Sequence, residues 1–364
     1  MTAAEDALLH LRVVGVSPRP AGGHSEAEAR LYCGAVLRRS GFSLTEEPFE
    51  FSAFPGRYAT PIAGALAIAT LLFAWRAGTR GAADEALIAL LGVGAAIGLG
   101  ARWIARHGVL SLPLLRARSV NLVAIRGDPQ VWIVAHLDSK SQVVPIGLRA
   151  AAITGVGLMW VVAIVASTAQ LAEWTYNPHG LWPWIAGAGV VSALPVALTF
   201  LGERSNGALD NASGVAAVLL TASALPEEKS VGVIITSAEE LGLAGARAWV
   251  RKRAPASVIN FDGLDDAGDL RLMWTRRKPE RLLGVLTDAV AEYGATARVS
   301  RLLPGILVDA VAFADAGWQS VTISKATLSS VVRIHTDRDT VDHLHGEGIA
   351  AAARITVSAL NRLT

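Results

Sequence analysis

A single cysteine, Cys33, stands among 364 residues, so no internal disulfide can form and the chain carries little record of its redox compartment. Charge is also scarce. Only 18% of residues are charged, against about 25% in an ordinary soluble domain, which points to surface facing lipid. The net charge of +2 leaves bulk electrostatics favouring no nucleic-acid partner. The sequence opens Met1-Thr2-Ala3-Ala4-Glu5-Asp6. It lacks the basic start and immediate apolar core of a cleavable signal peptide, so none is expected. There is no low-complexity tract, and no repeat beyond two hydrophobic hairpins.

What the chain does have is long apolar runs. Residues 58–75, 86–105, 150–171 and 181–201 are almost free of charge and fall into two pairs. A helix of about 20 residues spans about 30 Å, the thickness of a bilayer's hydrocarbon core. Helices buried in a large α/β core would be the bland alternative. These runs, however, are apolar all round rather than along one stripe, and their glycines and alanines suit close packing between membrane helices. Trp75, Trp103, Trp174 and Trp182 lie near segment ends, where aromatic belts form. Four transmembrane helices are therefore expected, as hairpins over residues 58–105 and 146–201. The outer flanks carry Arg57, Arg102, Arg106, Arg116, Arg118, Lys140, Arg149 and Arg204, while the 76–85 turn carries Arg76 and Arg80 against Asp84 and Glu85 and the 172–180 turn has no lysine or arginine. The positive-inside rule then puts the flanks, and everything attached to them, in the cytoplasm.

Removing the hairpins leaves residues 1–57, 106–145 and 202–364 as one discontinuous domain. Ser25 and Glu28 have capping-box spacing, opening a helix that runs to about Arg39 and ends at Gly41. Strands are expected over Phe42 to Phe51, Asn121 to Ile125, Val131 to Ala135, Val231 to Thr236, Ser257 to Phe261 and Ser320 to Ser324. Helices are expected over Gly214 to Leu225, Leu243 to Arg253, Pro279 to Tyr293 and Glu347 to Leu363. Alternating strands and helices predict an α/β fold with a sheet covered on both faces.

Polar residues cluster at the strand ends. His136-Leu137-Asp138-Ser139, Glu239-Glu240 and Asp262 each follow an apolar strand, at the edge where open α/β sheets bind ligands. Asp210-Asn211-Ala212-Ser213-Gly214 and His335-Thr336-Asp337-Arg338-Asp339 complete an ordered series. Taken singly, each fragment reads as a helix cap, a solvated loop or a surface turn. Together they supply two histidines and three carboxylates that could bind metal, and one spare carboxylate. His136 and Asp262 would hold one zinc, Glu240 and His335 a second, with Asp210 bridging both. Two Zn²⁺, three carboxylates and a hydroxide sum to zero charge, whereas the same carboxylates without metal would repel one another. Glu239 is then the general base. Asp138, two residues from His136, could accept the imidazole N–H and fix its tautomer, and Asp339 is a weaker candidate for the same service to His335.

This series resembles the dinuclear zinc exopeptidases related to bacterial leucyl aminopeptidase, aminopeptidase Y and glutamate carboxypeptidase. The resemblance covers most of the chain outside the hairpins. It implies a mostly parallel central sheet flanked by helices, and two Zn²⁺ (cobalt or manganese as possible substitutes) on His136, Asp210, Glu240, Asp262 and His335. It also implies Glu239 as base and hydrolysis at a peptide terminus. The chain departs from the family pattern in its hydrophobic insert between the first two motifs, in Ala310 where a histidine often follows the aspartate, and in lacking a tyrosine over residues 325–334. The expected protein is a membrane-embedded zinc aminopeptidase acting on peptide or amide substrates, with the lipid bilayer as its other partner. An amidohydrolase or glutaminyl-cyclase-like acyl transferase is the first rival, and a non-catalytic membrane receptor the second.

Overall fold

Among the described residues ten strands are formed: β1 (Ser43–Ser52), β2 (Arg116–Arg126), β3 (Val131–His136), β4 (Ser141–Gln142), β5 (Leu201–Gly202), β6 (Val231–Thr236), β7 (Ser257–Leu264), β8 (Asp269–Trp274), β9 (Ala297–Arg301) and β10 (Gln319–Ala326). The structure is a computed structural model, and it describes residues 2–173, 178–303 and 305–363. Trp174 and Asn177 lie outside the described residues. The chain divides into two units, one of Met1–Phe51, Arg116–Ser141 and Glu203–Thr364, the other of Ser52–Leu115 and Gln142–Gly202. These seams fall one to ten residues from those drawn at 57, 106, 145 and 202. They do so because helical backbone extends past the apolar runs, from Pro55 on one side and to Ser111 on the other.

The first unit is an α/β sandwich around an eight-stranded, mostly parallel sheet of order β1-β2-β6-β3-β7-β10-β8-β9. Every residue of β3 and β6 is buried, as expected of central parallel strands covered on both faces. β3 runs parallel to β6, with His136 opposite Thr236, and parallel to β7, with Val134 opposite Asn260. Helices Ala3–Val14, Ser213–Ala224, Glu280–Glu292 and Glu347–Leu363 pack into one apolar core. A second core on Trp132, Trp249, Phe313 and Trp318 is built from tilted and edge-on ring pairs.

Several local expectations are corrected. The helix predicted from a Ser25 cap spans His24–Arg39 with Gly23 as N-cap. Ser25 donates its hydroxyl to the Pro18 carbonyl instead. Strands β8 and β9 were not anticipated, and β9 is mostly exposed, so it lacks the apolar alternation that marks a strand. Helix Ala3–Val14 was also missed, although Thr2 and Glu5 form a true capping box at its start.

The second unit contains helices Thr60–Thr79, Ala83–Trp103, Ile146–Leu171 and Trp182–Ala197. Leu71, Ala74, Ala77, Leu90, Ala163 and Trp182 are buried between them. Small residues set the close approaches. A Cβ on Gly64 would lie 2.8 Å from the Ala197 Cα, and one on Gly155 would lie 2.6 Å from Ser192 Oγ. Gln170 donates to the Gly78 carbonyl at 2.9 Å and accepts from Trp182 Nε1 at 3.2 Å. Among the described residues, three helical stretches are long and apolar enough to cross a membrane, Pro55–Thr79, Ala83–Ser111 and Ile146–Leu171. The fourth expected span is corrected. Its helix has 16 residues, or about 24 Å at 1.5 Å per residue. A 3₁₀ turn over Pro178–Leu181 precedes it and the helix ends at Ala197, two residues past Pro195.

Candidate active site

Three adjacent parallel strands deliver the first half of the site. His136 closes β3, Asp262 lies two residues past the Asn260 that faces Val134, and β6 leads through Ser237 and Ala238 to Glu239 and Glu240. Ala238 sits at φ +55°, a left-handed turn that costs a non-glycine residue roughly 1–2 kcal/mol. Hydrogen bonds from the Ala244 and Gly245 amides to the Ala238 and Ser237 carbonyls hold it. The turn aims both glutamates across the sheet edge. Asp210 enters from the loop before helix Ser213–Ala224, and His335, at φ +64°, from the loop after Leu328–Arg333.

All six residues named from sequence meet. Ligand atoms of His136, Glu239 and Asp262 lie within 4.8 Å of one another, as do those of Asp210, Glu240 and His335. Asp210 joins the two sets. Its Oδ1 is 3.1 Å from His136 Nε2 and its Oδ2 is 3.1 Å from His335 Nε2. Glu240 Oε1 is 3.2 Å from His335 Nε2. Glu239, read as the spare carboxylate, has Oε2 3.9 Å from His136 Nε2.

Asp138 does a different job from the one expected. His136 Nδ1 donates to the main-chain carbonyl of Asp138 at 3.0 Å, while the carboxylate oxygen is 3.7 Å away. The carboxylate instead accepts the Glu239 amide at 3.0 Å and the Glu240 amide at 3.1 Å. Asp339 likewise serves the backbone rather than His335, accepting the amides of Leu209 and Asp210 at 2.7 and 3.1 Å.

Two supports carried no local sequence signal. Arg19 is buried, and its guanidinium donates to the carbonyls of Leu137, Val14, Ser17, Asn206 and Gly207, tying the His136 loop to the Asp210 loop. Burial brings it down to about 10. Lys140 places Nζ 2.6 Å from Glu240 Oε2. Asn211 bonds the Phe261 carbonyl and the Gly214 and Gly263 amides, fixing Asp210 against β7.

The electrostatics are those of a carboxylate cluster seeking positive charge. Burial raises Asp262 to about 8, helped by Asp210, and raises Glu239 well above the ordinary range. Burial opposes ionisation of Asp210 too, but the His136 and His335 imidazoles, each 3.1 Å from one of its oxygens, prevail and hold it well below that range. On Glu240 burial is outweighed by Lys140 and then His335, so it is lowered. Both imidazoles are raised, burial losing to Glu239 at His136 and to Glu240 at His335. Neither ring nitrogen of His335 nor Oε1 of Glu240 has a hydrogen-bond partner among the described residues, although all three are buried. Buried polar atoms are normally satisfied, so these atoms fit ligation. Imidazole nitrogen with carboxylate oxygen suits zinc.

Residues 191–360 match the model of Peptidase family M28, a stretch that includes Asp210, Glu239, Glu240, Asp262 and His335. No curated protein sequence gives a significant match. Among solved structures, the fold is similar to an aminopeptidase from Aneurinibacillus sp. strain AM-1, with 15% identity, TM-score 0.57, and 99% of this chain and 93% of that one covered. It is similar to a zinc aminopeptidase from Bacillus subtilis, with 14% identity, TM-score 0.58, and 99% and 95% covered. It is also similar to a glutaminyl cyclase from Fimbriiglobus ruber, with 12% identity, TM-score 0.53, and 98% and 94% covered. The family model thus matches just under half of the chain, and the solved structures share its fold.

Proposed function

We propose that this relative of the M28 peptidases is a membrane-embedded, zinc-dependent aminopeptidase holding two ions. His136 and Asp262 would hold one, Glu240 and His335 the other, with Asp210 facing both. The observation that carries the reading is the pair of ligand sets joined by the two oxygens of Asp210. When bound, zinc would polarise the scissile carbonyl and bring the pKa of a water to about 7. Glu239, buried and unpaired by any lysine or arginine side chain among the described residues, takes the water proton and passes it to the leaving amine. Asp138 and Asp339 hold the backbone of Glu239, Glu240 and Asp210, so the carboxylates need little rearrangement. The three long apolar helical stretches support membrane residence, and the arginine-rich flanks support a cytoplasmic catalytic unit.

A panel of aminoacyl arylamides, assayed in detergent with and without chelator, tests the activity. Turnover that needs a free α-amino group, is lost on chelation and returns with zinc is the expected result. The likeness to glutaminyl cyclases favours one second reading, acyl transfer with loss of ammonia from an N-terminal glutamine. Cyclisation of Gln-peptides without arylamide hydrolysis would select it. Turnover unaffected by chelation discards both. For topology, a reporter placed in the 172–180 turn is expected outside the cytoplasm, and a cytoplasmic signal reverses the orientation.

A further inference from the structure

Among the described residues, Lys140 is the one cation built into the edge of the site that the hydrolytic scheme leaves idle. Its Nζ is 2.6 Å from Glu240 Oε2, with side chains only 18% and 5% exposed, and 3.4 Å from the Glu240 main-chain carbonyl. Its backbone is fixed by its neighbour. Ser139 donates its amide to the Arg19 carbonyl and accepts the Arg19 amide on its hydroxyl. Of the six candidate metal-site residues, Glu240 alone is ion-paired to a lysine or arginine among the described residues.

We propose that Lys140 is a positioning residue that makes the Asp210–Glu240–His335 set the weaker and later-filled of two zinc sites. This inference rests on the two-metal reading. The ammonium takes Oε2 and leaves Oε1, 3.2 Å from His335 Nε2, as the only Glu240 oxygen free for a cation. It thereby enforces one-oxygen ligation. It also offsets the negative charge of Glu240, whereas among the described residues no lysine or arginine side chain pairs with Asp262 or Glu239 at the other set. Two effects oppose one another. A donor that orients a ligating oxygen strengthens binding by about 10–100-fold. A fixed positive charge one carboxylate away repels the whole double charge of an incoming ion, and low-dielectric surroundings magnify that repulsion. The repulsion dominates, because Glu240 is already oriented through the backbone amide that Asp138 accepts.

The test is zinc titration of the full-length apoprotein in detergent, in competition with a chromophoric chelator. Wild type is expected to bind two equivalents in separate steps. His335→Ala should delete the weaker step and His136→Ala the tighter one. Lys140→Gln and Lys140→Met should tighten the second step by at least ~10-fold, within the range that groups beyond the ligands exert, and leave the first unchanged. A gain confined to one step is not what a folding lesion gives. A second step that is unchanged or weakened in both variants overturns the role of Lys140 while the two-metal reading stands. Wild type that binds no zinc overturns both.

Discussion

Asp138 holds Glu239 by its main chain, its Oδ1 accepting the Glu239 amide at 3.0 Å. The other carboxylate oxygen takes the Glu240 amide, so one side chain fixes both glutamates against β3. Asp138→Asn leaves only one acceptor atom for two buried amides, and an unsatisfied buried donor costs about 1–3 kcal/mol. Zinc affinity is expected to fall roughly 10–100-fold. Competition with a chelator measures it, and unchanged affinity removes Asp138 from the site.

Glu239→Gln separates base from ligand. Glu239 lies in ligand range of His136 and Asp262, yet the scheme gives it only a proton to carry. Turnover should drop by at least ~100-fold, as for loss of a general base, with two zinc per chain retained by elemental analysis. Loss of one equivalent would reassign Glu239 as a ligand.

The strand ends were legible because β3, β6 and β7 are short, continuous apolar runs, and the residue after such a run must emerge at the sheet edge. His136 and Asp262 follow from that, while Glu239 and Glu240 depend also on the left-handed turn at Ala238. The partners of Asp138 and Asp339 were not legible, since their acceptor oxygens reach amides about 100 and 130 residues away along the chain. Arg19 and Lys140 were silent for the same reason, because burial of a cation depends on which loops close over it. The Trp182–Ala197 helix fell short of the predicted span because composition alone does not show where a 3₁₀ turn begins or where the chain leaves helical geometry.

Zinc uptake should release protons. Without metal, Asp262 titrates at about 8 and Glu239 is raised well above its ordinary value, both chiefly by burial. At pH 7 the Asp262 carboxyl is mostly protonated, and a cation must displace that proton. Affinity is therefore expected to weaken as pH falls below about 8. Isothermal titration at pH 7 in buffers of different ionisation enthalpy should show net release, and zero release would contradict the ligand set. The apoprotein behaves in the opposite sense. A carboxyl raised from 3.8 to about 8 contributes stability that is lost as pH rises through that window, and zinc should restore it.

Glu26 gives a second pH signature, away from the metal ligands. It is fully buried, accepts the Gly22 amide at 2.6 Å and the Ser119 hydroxyl at 3.1 Å, and receives a short hydrogen bond from Ser237. Burial, and then the charge of Asp138, raises it from 4.5 to about 7. The folded state thus holds a proton that the unfolded state has released, and stability falls as pH rises from about 4.5 to 7, by on the order of 3 kcal/mol. Glu26→Gln should flatten melting temperature against pH in that window, raising it at pH 8 relative to wild type. A parallel pH dependence in both proteins would refute the shift.

Leu158 decides what surrounds the apolar helices. It lies midway along Ile146–Leu171 and is 58% exposed, and Ile153, Val161 and Val165 on the same helix are exposed as well. If that surface faced water, Leu158→Arg would raise solubility and leave expression intact. If it faces hydrocarbon, arginine at mid-helix adds about 2.5–3.5 kcal/mol to insertion, offset in part by snorkelling. We expect the variant to be depleted in the alkali-resistant membrane fraction, while Leu158→Phe remains there at the wild-type level. A Leu158→Arg protein that is soluble, folded and zinc-binding would place these helices in water and end the membrane reading.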